Sequence, residues 1–167
     1  MLLNWLETGK RPDDSSAWPL PRTDLESSAG RENHHRFPDA ETLIAIAIKE
    51  KRNDDALRWY HHRNKRGGWG HDHQGNAVAE SVSETHPDEA LSIWKAQAVS
   101  HIRITKPSAY EVAGRYLRKM RTVYERTGRR SEWEGLLREL RTDHARKRRL
   151  MEVLDRLEGK RSRILKR

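Results

Sequence analysis

The stretch SAYEVAGRYLRKMRTVYERTG, residues 108–128, decides the fold. At about 100° per residue, its apolar side chains fall on one face of a helix and most of its basic side chains on the other. Ser108 and Glu111 have the spacing of a capping box, and Gly128 is a typical helix stop. The sequence therefore predicts an amphipathic helix. Its apolar face contains Tyr110, Ala113, Tyr116, Leu117, Met120, Val123 and Tyr124, and its polar face contains Arg115, Arg118, Lys119 and Arg126.

Shorter helical segments precede this helix in pairs. DAETLIAIAIKEKR (39–52) runs almost directly into NDDALRWYHHRNKRGG (53–68), and NAVAESVSETH (76–86) into PDEALSIWKAQAVSHIRI (87–104). Such short connections predict antiparallel hairpins. DDALRWY and DEALSIW resemble each other at a separation of about 34 residues, a length at which paired-helix repeats recur. The predicted fold class is all-α, with stacked antiparallel helical hairpins in a short tetratricopeptide-like superhelix.

Composition predicts four segments along the chain. Residues 1–9 form a short helix that ends at Gly9, and residues 10–37 form a Pro/Ser-rich linker or arm. The stretch 10–39 holds four of the six prolines and shows no sustained hydrophobic period. A helical-repeat domain is predicted over residues 38–158, because long structureless loops are uncommon inside compact domains. Residues 159–167 form a basic tail.

The residue content excludes several classes of protein. With no cysteine, the chain has no disulfide framework, thiolate zinc site or thiol nucleophile. It has no apolar run of the roughly 20 residues that a membrane span requires. Its first residues do not resemble a signal peptide. A cytoplasmic protein without membrane association is expected.

Positive charge is concentrated in the second half of the chain. The formal net charge is +9, and residues 101–167 contain 21 Lys and Arg against 9 Asp and Glu. A polyanionic partner would therefore meet the C-terminal half. A protein partner with an acidic surface is expected, and nucleic acid is the alternative. Arginine-rich outer helix faces also occur without any ligand, because the arginine stem covers apolar surface.

The segment DHARKRRLMEVLDRL, residues 143–157, contains a run of four basic residues. If one helix continued through it, the apolar stripe before the run would lie about 100° from the stripe after it. The sequence therefore predicts a bend, a bulge or a helix boundary at the run. Either the run neutralises helix-end carbonyls and stays hydrated, or it contacts an anion. The candidate anion contacts are Arg115, Arg118, Lys119, Arg146, Lys147, Arg148 and Arg149.

HPDEALSIW (86–94) and the stretch from Ser108 to Leu157 resemble the C-terminal helical region of bacterial and archaeal SWIM zinc finger proteins. In that region a tetratricopeptide-like pair precedes a Tyr-rich helix, a Trp-containing helix and an H-x-R-K-R run. The resemblance covers roughly residues 39–157 and is most specific over 108–157. The family's finger requires a Cys-x-Cys…Cys-x-His set, which this cysteine-free chain lacks. The resemblance implies the C-terminal part of a longer protein, or a relative that lost the finger, without known catalytic residues.

A histidine-rich stretch, YHHRNKRGGWGHDHQG (60–75), is the candidate metal site. Imidazoles and a carboxylate suit zinc, nickel or copper, but a glycine-rich loop without a helical His-x-x-x-His pair is weak support. The sequence therefore predicts an exposed polar loop more strongly than a metal site, and it predicts no cofactor. The candidate ligands are His61, His62, His71, Asp72 and His73.

No enzymatic motif is evident. The paired acids lie at predicted helix starts, where the helix dipole accounts for them, and no glycine loop has the context of a phosphate-binding loop. The predicted function is a non-catalytic helical-repeat scaffold for protein–protein interaction, as the C-terminal part of a larger SWIM-type protein. The alternative is a nucleic-acid-binding accessory module that uses the basic C-terminal half.

Overall fold

A computed structural model describes residues 2–9, 37–65 and 73–159 of the chain, and it confirms the all-α prediction. Within these ranges the chain forms helices and their connections, and no strand. The chain divides into two compact units, Met1–Gly68 (unit 1) and Trp69–Arg167 (unit 2). The helices are α1 (Leu2–Thr8), α2 (Ala40–Lys49), α3 (Asn53–Lys65), α4 (His73–Val82), α5 (Pro87–Arg103), α6 (Pro107–Arg126), α7 (Arg130–Asp143) and α8 (Arg148–Leu157).

Unit 1 contains the first predicted hairpin, formed by α2 and α3. Asp39 caps α2, because its carboxylate accepts a hydrogen bond from the Thr42 amide at 3.2 Å. Helix α1 packs against α2 and buries Leu6, whose carbonyl accepts a hydrogen bond from the Asp39 amide at 2.9 Å. Trp5 meets Phe37 edge-on at 5.7 Å between ring centroids. These contacts hold α1 against the residues that directly precede α2.

In unit 2, α5 and α7 run in the same direction. The Asp88 carboxylate at the start of α5 pairs with Arg129, directly before α7. Lys95 in the middle of α5 lies 3.4 Å from Glu139 in α7. At the far end, the Lys147 ammonium donates to the α5 carbonyl of Ile102 at 2.9 Å.

Helices α4, α6 and α8 form a second layer that runs in the opposite direction. Lys119 of α6 donates to Asn76 of α4 at 2.8 Å. On the other side of α6, Gly114 lies against Val153 of α8, and Arg121 donates to the Leu157 carbonyl at 2.7 Å. In unit 2, helices that follow each other in the chain are therefore antiparallel, and their hairpins stack, as the sequence predicted. The structure shows that they form two layers. The tetratricopeptide type of repeat stays a prediction.

The start of each of the two longest C-terminal helices was predicted wrongly. Helix α6 begins at Pro107 after Lys106, and α7 begins at Arg130 after Arg129, with no side-chain capping bond at either. Ser108 was the predicted cap of the first, and Ser131, with Glu134 three residues on, has the same capping-box spacing and predicts the cap of the second. Both serines instead lie inside the first turn. Proline is favoured at the first helical position, since its fixed φ suits a helix and its missing N–H would be unpaired there. At α7, Arg129 binds Glu132 with its guanidinium, so an ion pair replaces the capping box.

The predicted break at the basic run is confirmed. Helix α7 ends at Asp143 and α8 begins at Arg148. The turn between them lets both apolar stripes reach the core of unit 2, where Leu140 is 4% exposed and Leu150 is fully buried.

Several predictions concern residues outside the described ranges. The linker over residues 10–36 and the tail from residue 160 onward are among them. The boundaries of a single repeat domain over 38–158 also stay a prediction. In the part of the chain that is described, no helix is long and apolar enough to cross a membrane.

Candidate functional site

The histidine-rich stretch does not form a metal centre within the described residues. His61 and His62 lie near the end of α3, and His62 contacts Trp59 edge-on at 5.7 Å between ring centroids. His71 and Asp72 lie outside the described ranges. His73 is the first residue of α4 rather than part of a loop as predicted, and its side chain is not described. Among the side chains that are described, no three metal-ligating groups come together.

Lys119, predicted as an anion contact, is engaged within unit 2. Its ammonium donates to the Asn76 side-chain oxygen at 2.8 Å and pairs with Glu80 at 2.5 Å. The same Asn76 oxygen accepts a hydrogen bond from the Trp94 indole at 3.2 Å. Three helices, α4, α5 and α6, therefore meet at this polar contact. Lys119 joins helices rather than presenting its charge to a partner.

Arg115 and Arg118 lie on the outer face, which we define as the side of the α4/α6/α8 layer turned away from α5 and α7. Helix α6 directs Leu117 into the core, where it is fully buried. Arg115 lies about 160° around the helix from Leu117, and Arg118 about 100°. Both side chains are exposed, and neither has an ion-pair or hydrogen-bond partner among the described residues. They are the two predicted contacts on this face that remain available.

The four residues of the basic run have different roles. Lys147 donates to the Ile102 carbonyl at 2.9 Å, so it caps the end of α5 rather than that of α7. Arg149 pairs with Glu152 one turn later in α8, at 2.9 Å. Arg146 and Arg148 are exposed and have no partner among the described residues. Lys147 thus supports the interpretation that the run neutralises carbonyls at a helix end, while Arg146 and Arg148 remain available to contact an anion.

The structure brings the basic run next to residues that sequence analysis missed. Because Lys147 reaches Ile102, the α7–α8 connection lies against the α5–α6 connection. Arg103, the last residue of α5, and Lys106, in the α5–α6 connection, are exposed, and neither side chain is paired with another described residue. The sequence signal was the basic content of RITKP (103–107), but only the tertiary fold relates it to a run some 40 residues later. We call the resulting cluster the basic end of unit 2: Arg103, Lys106, Arg146, Lys147 and Arg148.

The groups with shifted pKa values in unit 2 belong to contacts between helices. Glu132 binds Arg129 through two hydrogen bonds, of 2.7 and 2.6 Å, and these lower the pKa of its carboxyl. Burial raises the pKa of the Tyr124 hydroxyl, which lies in the same contact. Burial of Arg141 by itself would lower the pKa of its guanidinium. Its hydrogen bonds to the Asp155 and Glu158 carboxylates outweigh that effect, so the pKa is raised. These shifts reflect stabilising pairs at helix contacts.

Comparison with known proteins adds no assignment. No protein-family model, curated protein or solved structure matches this chain. The resemblance to SWIM zinc finger proteins therefore stays a prediction.

Proposed function

We propose that this chain is a non-catalytic helical scaffold that binds an acidic surface of a protein partner through Arg115 and Arg118. The observation that carries the proposal is their position: two exposed arginines, one turn apart on α6, with no counter-ion among the described residues. Most neighbouring cations are paired. Arg121 binds Glu125 at 2.7 Å, and Arg156 binds Glu111 across the α6–α8 contact.

Rigidity of the outer face supports this role. Helix α6 packs against α8, and Lys119 ties it to Asn76 and Glu80 of α4. Its core-facing residues Leu117 and Met120 are fully buried. Arginines on such a helix lose little backbone entropy when they bind, and a guanidinium pairs with a carboxylate in bidentate geometry. Helical-hairpin arrays expose extended surfaces of this kind to protein partners.

The family resemblance supports a scaffold within a larger assembly. The segment from Ser108 to Leu157 resembles the region that follows the finger in SWIM-type proteins, so we place this chain as the C-terminal part of such a protein. In that role the helices position a neighbouring domain or its partner, and they contribute no catalytic group.

The test is charge reversal on the outer face. Arg115→Glu/Arg118→Glu is compared with Arg130→Glu/Arg138→Glu, which makes the same charge change on exposed positions of α7. The probe is a fluorescent poly-glutamate peptide, and binding is followed by anisotropy. Loss of two favourable charge contacts is expected to weaken binding by about tenfold or more in the α6 variant. Equal weakening in both variants, or none in the α6 variant, would contradict the proposal.

A further inference from the structure

Five cations are grouped at the end of unit 2 where α6 and α8 begin. Arg103 is the last residue of α5, and Lys106 lies in the α5–α6 connection. Arg146 and Lys147 lie in the α7–α8 connection, and Arg148 is the first residue of α8. Four of the five are exposed, and the side chains of those four have no ion-pair or hydrogen-bond partner among the described residues. They are Arg103, Lys106, Arg146 and Arg148, with Lys147 between them.

The two connections are fixed relative to each other. The Lys147 ammonium holds the Ile102 carbonyl at 2.9 Å, and the neighbouring apolar residues Ile102 and Leu150 are fully buried. The cations therefore extend from anchored backbone on both sides. A charged cluster on anchored backbone loses less conformational freedom when it binds than the same residues would on a loose tail.

Little negative charge opposes this cluster. Asp143, at the end of α7, is the nearest acid in the sequence, and neither α6 nor α8 has an acidic residue in its first turn. Both helices also begin here without a side-chain capping bond. The partial positive charge of these two helix starts is offset by the partial negative charge at the ends of α5 and α7, which lie at the same end of the unit, so the positive potential comes from the basic side chains.

We infer that the basic end of unit 2 is a docking site for the phosphate backbone of a nucleic-acid duplex. A duplex carries one negative charge per roughly 1.7 Å of its axis, and that dense array complements a cluster of four unpaired cations. Three of the five cations are arginines, which bind phosphate oxygens in bidentate geometry.

The aromatic residues favour a duplex over a single strand. Single-strand binders stack bases on exposed rings. In the described part of unit 2 no Tyr or Trp is exposed: Trp94, Tyr110, Tyr124 and Trp133 are buried, and Tyr116 is half-buried against His101. The basic end therefore offers charge without stacking surfaces, which predicts binding that depends on phosphates and not on base sequence.

This site is separate from the proposed protein-binding face. It uses neither Arg115 nor Arg118, so either proposal can fail while the other stands. The two sites also differ in ligand chemistry, because one is assigned to carboxylates and the other to phosphates.

The experiment measures duplex binding by the full chain at several salt concentrations. Labelled DNA and RNA duplexes serve as probes, since both present backbone phosphates. Four phosphate contacts, one from each unpaired cation, predict a slope of log affinity against log salt of about −3.6 for DNA, or on the order of a 150-fold loss between about 50 and 200 mM salt. Arg103→Gln/Arg148→Gln is expected to reduce that slope by about 2. Lys147 is left intact because it holds Ile102.

Arg115→Gln/Arg118→Gln is the matched control, with the same change of net charge on the outer face. It is expected to leave the slope nearly unchanged. An equal effect of both double variants would overturn the assignment to the basic end. No binding of either duplex at low salt, equal affinity for a single strand, or equally strong competition by poly-glutamate would each overturn the inference as well. Circular dichroism on each variant confirms that the helices are intact.

Discussion

Gly114 and Val153 form the closest approach between α6 and α8. A β-carbon at position 114 would lie 2.7 Å from Cγ1 of Val153, a distance that real side chains do not show. Val153 is 3% exposed and β-branched, so it cannot turn away easily. The absence of a side chain at residue 114 therefore allows α8 to lie against α6, which also brings the basic run to the start of α6.

Gly114→Ala is expected to destabilise the protein. Alanine favours a helix over glycine by about 1 kcal/mol, but overpacking of a filled core costs about 1–3 kcal/mol. The contact with a stiff, buried Val153 places this site toward the upper part of that range. We expect a net loss of about 1–2 kcal/mol in the free energy of unfolding, measured by urea titration followed by circular dichroism.

Gly135→Ala is the matched control for that substitution. Gly135 lies in α7, and a β-carbon there meets nothing within 4 Å. The same chemical change should then show the helix preference alone and stabilise the protein by about 1 kcal/mol. If both substitutions stabilised it, the α6–α8 contact would be looser than the structure indicates.

Lys119→Met is expected to loosen α4 without affecting partner binding. The substitution keeps an unbranched apolar stem but removes the hydrogen bond to Asn76 and the ion pair with Glu80. A loss of about 1 kcal/mol in the free energy of unfolding is expected for a charged hydrogen bond that is partly exposed. Hydrogen exchange should accelerate at the amides of α4. Lys95→Met is the control, since its pair with Glu139 at 3.4 Å is more exposed and should contribute only a few tenths of a kcal/mol.

The contact between Arg129 and Glu132 predicts a dependence of stability on pH. Its two hydrogen bonds lower the pKa of Glu132 below the ordinary value of a glutamate. A lowered carboxyl pKa stabilises the folded protein above the ordinary pKa, and that stabilisation is lost as pH falls through the folded value. Arg129→Gln should therefore lower Tm near neutral pH, and the difference from wild type should shrink in acid. Carboxyl NMR titration should show the pKa of Glu132 rising in the variant, and an unchanged pKa would contradict this explanation.

Periodicity and helix-stop residues were enough to predict most of the helices. The apolar stripe with Leu117 and Met120 is the buried face of α6, and the change of phase near Arg146 marks a true helix boundary. These features are local, since they depend on side chains within two turns of one another. The starts of α6 and α7 were wrong because two local signals competed there, and proline and an ion pair replaced the serine caps.

The candidate site could be predicted only in part, because availability of a charge is a tertiary property. Helical spacing placed Lys119 beside Arg115 and Arg118, but only the fold shows that Asn76 of another helix engages it. Likewise, nothing in the sequence pairs Arg103 with Arg148. Their proximity follows from the contact between Lys147 and Ile102.

Thr105→Gly is expected to stabilise unit 2. Thr105 lies in the α5–α6 connection with φ of +57°, in the left-handed region that β-branched residues rarely adopt. Left-handed backbone costs an L-residue about 1–2 kcal/mol, while the greater freedom of glycine in the unfolded chain removes about 0.5–1 kcal/mol of that gain. A net increase of about 0.5–1 kcal/mol in the free energy of unfolding should appear in urea titration.

Thr105→Val keeps the branched shape and should give no increase. If the glycine variant were less stable, then the threonine side chain would contribute a contact that outweighs its backbone strain. Because Thr105 carries no charge, the glycine variant should also leave the salt dependence of duplex binding unchanged, which separates the geometry of this connection from its charge.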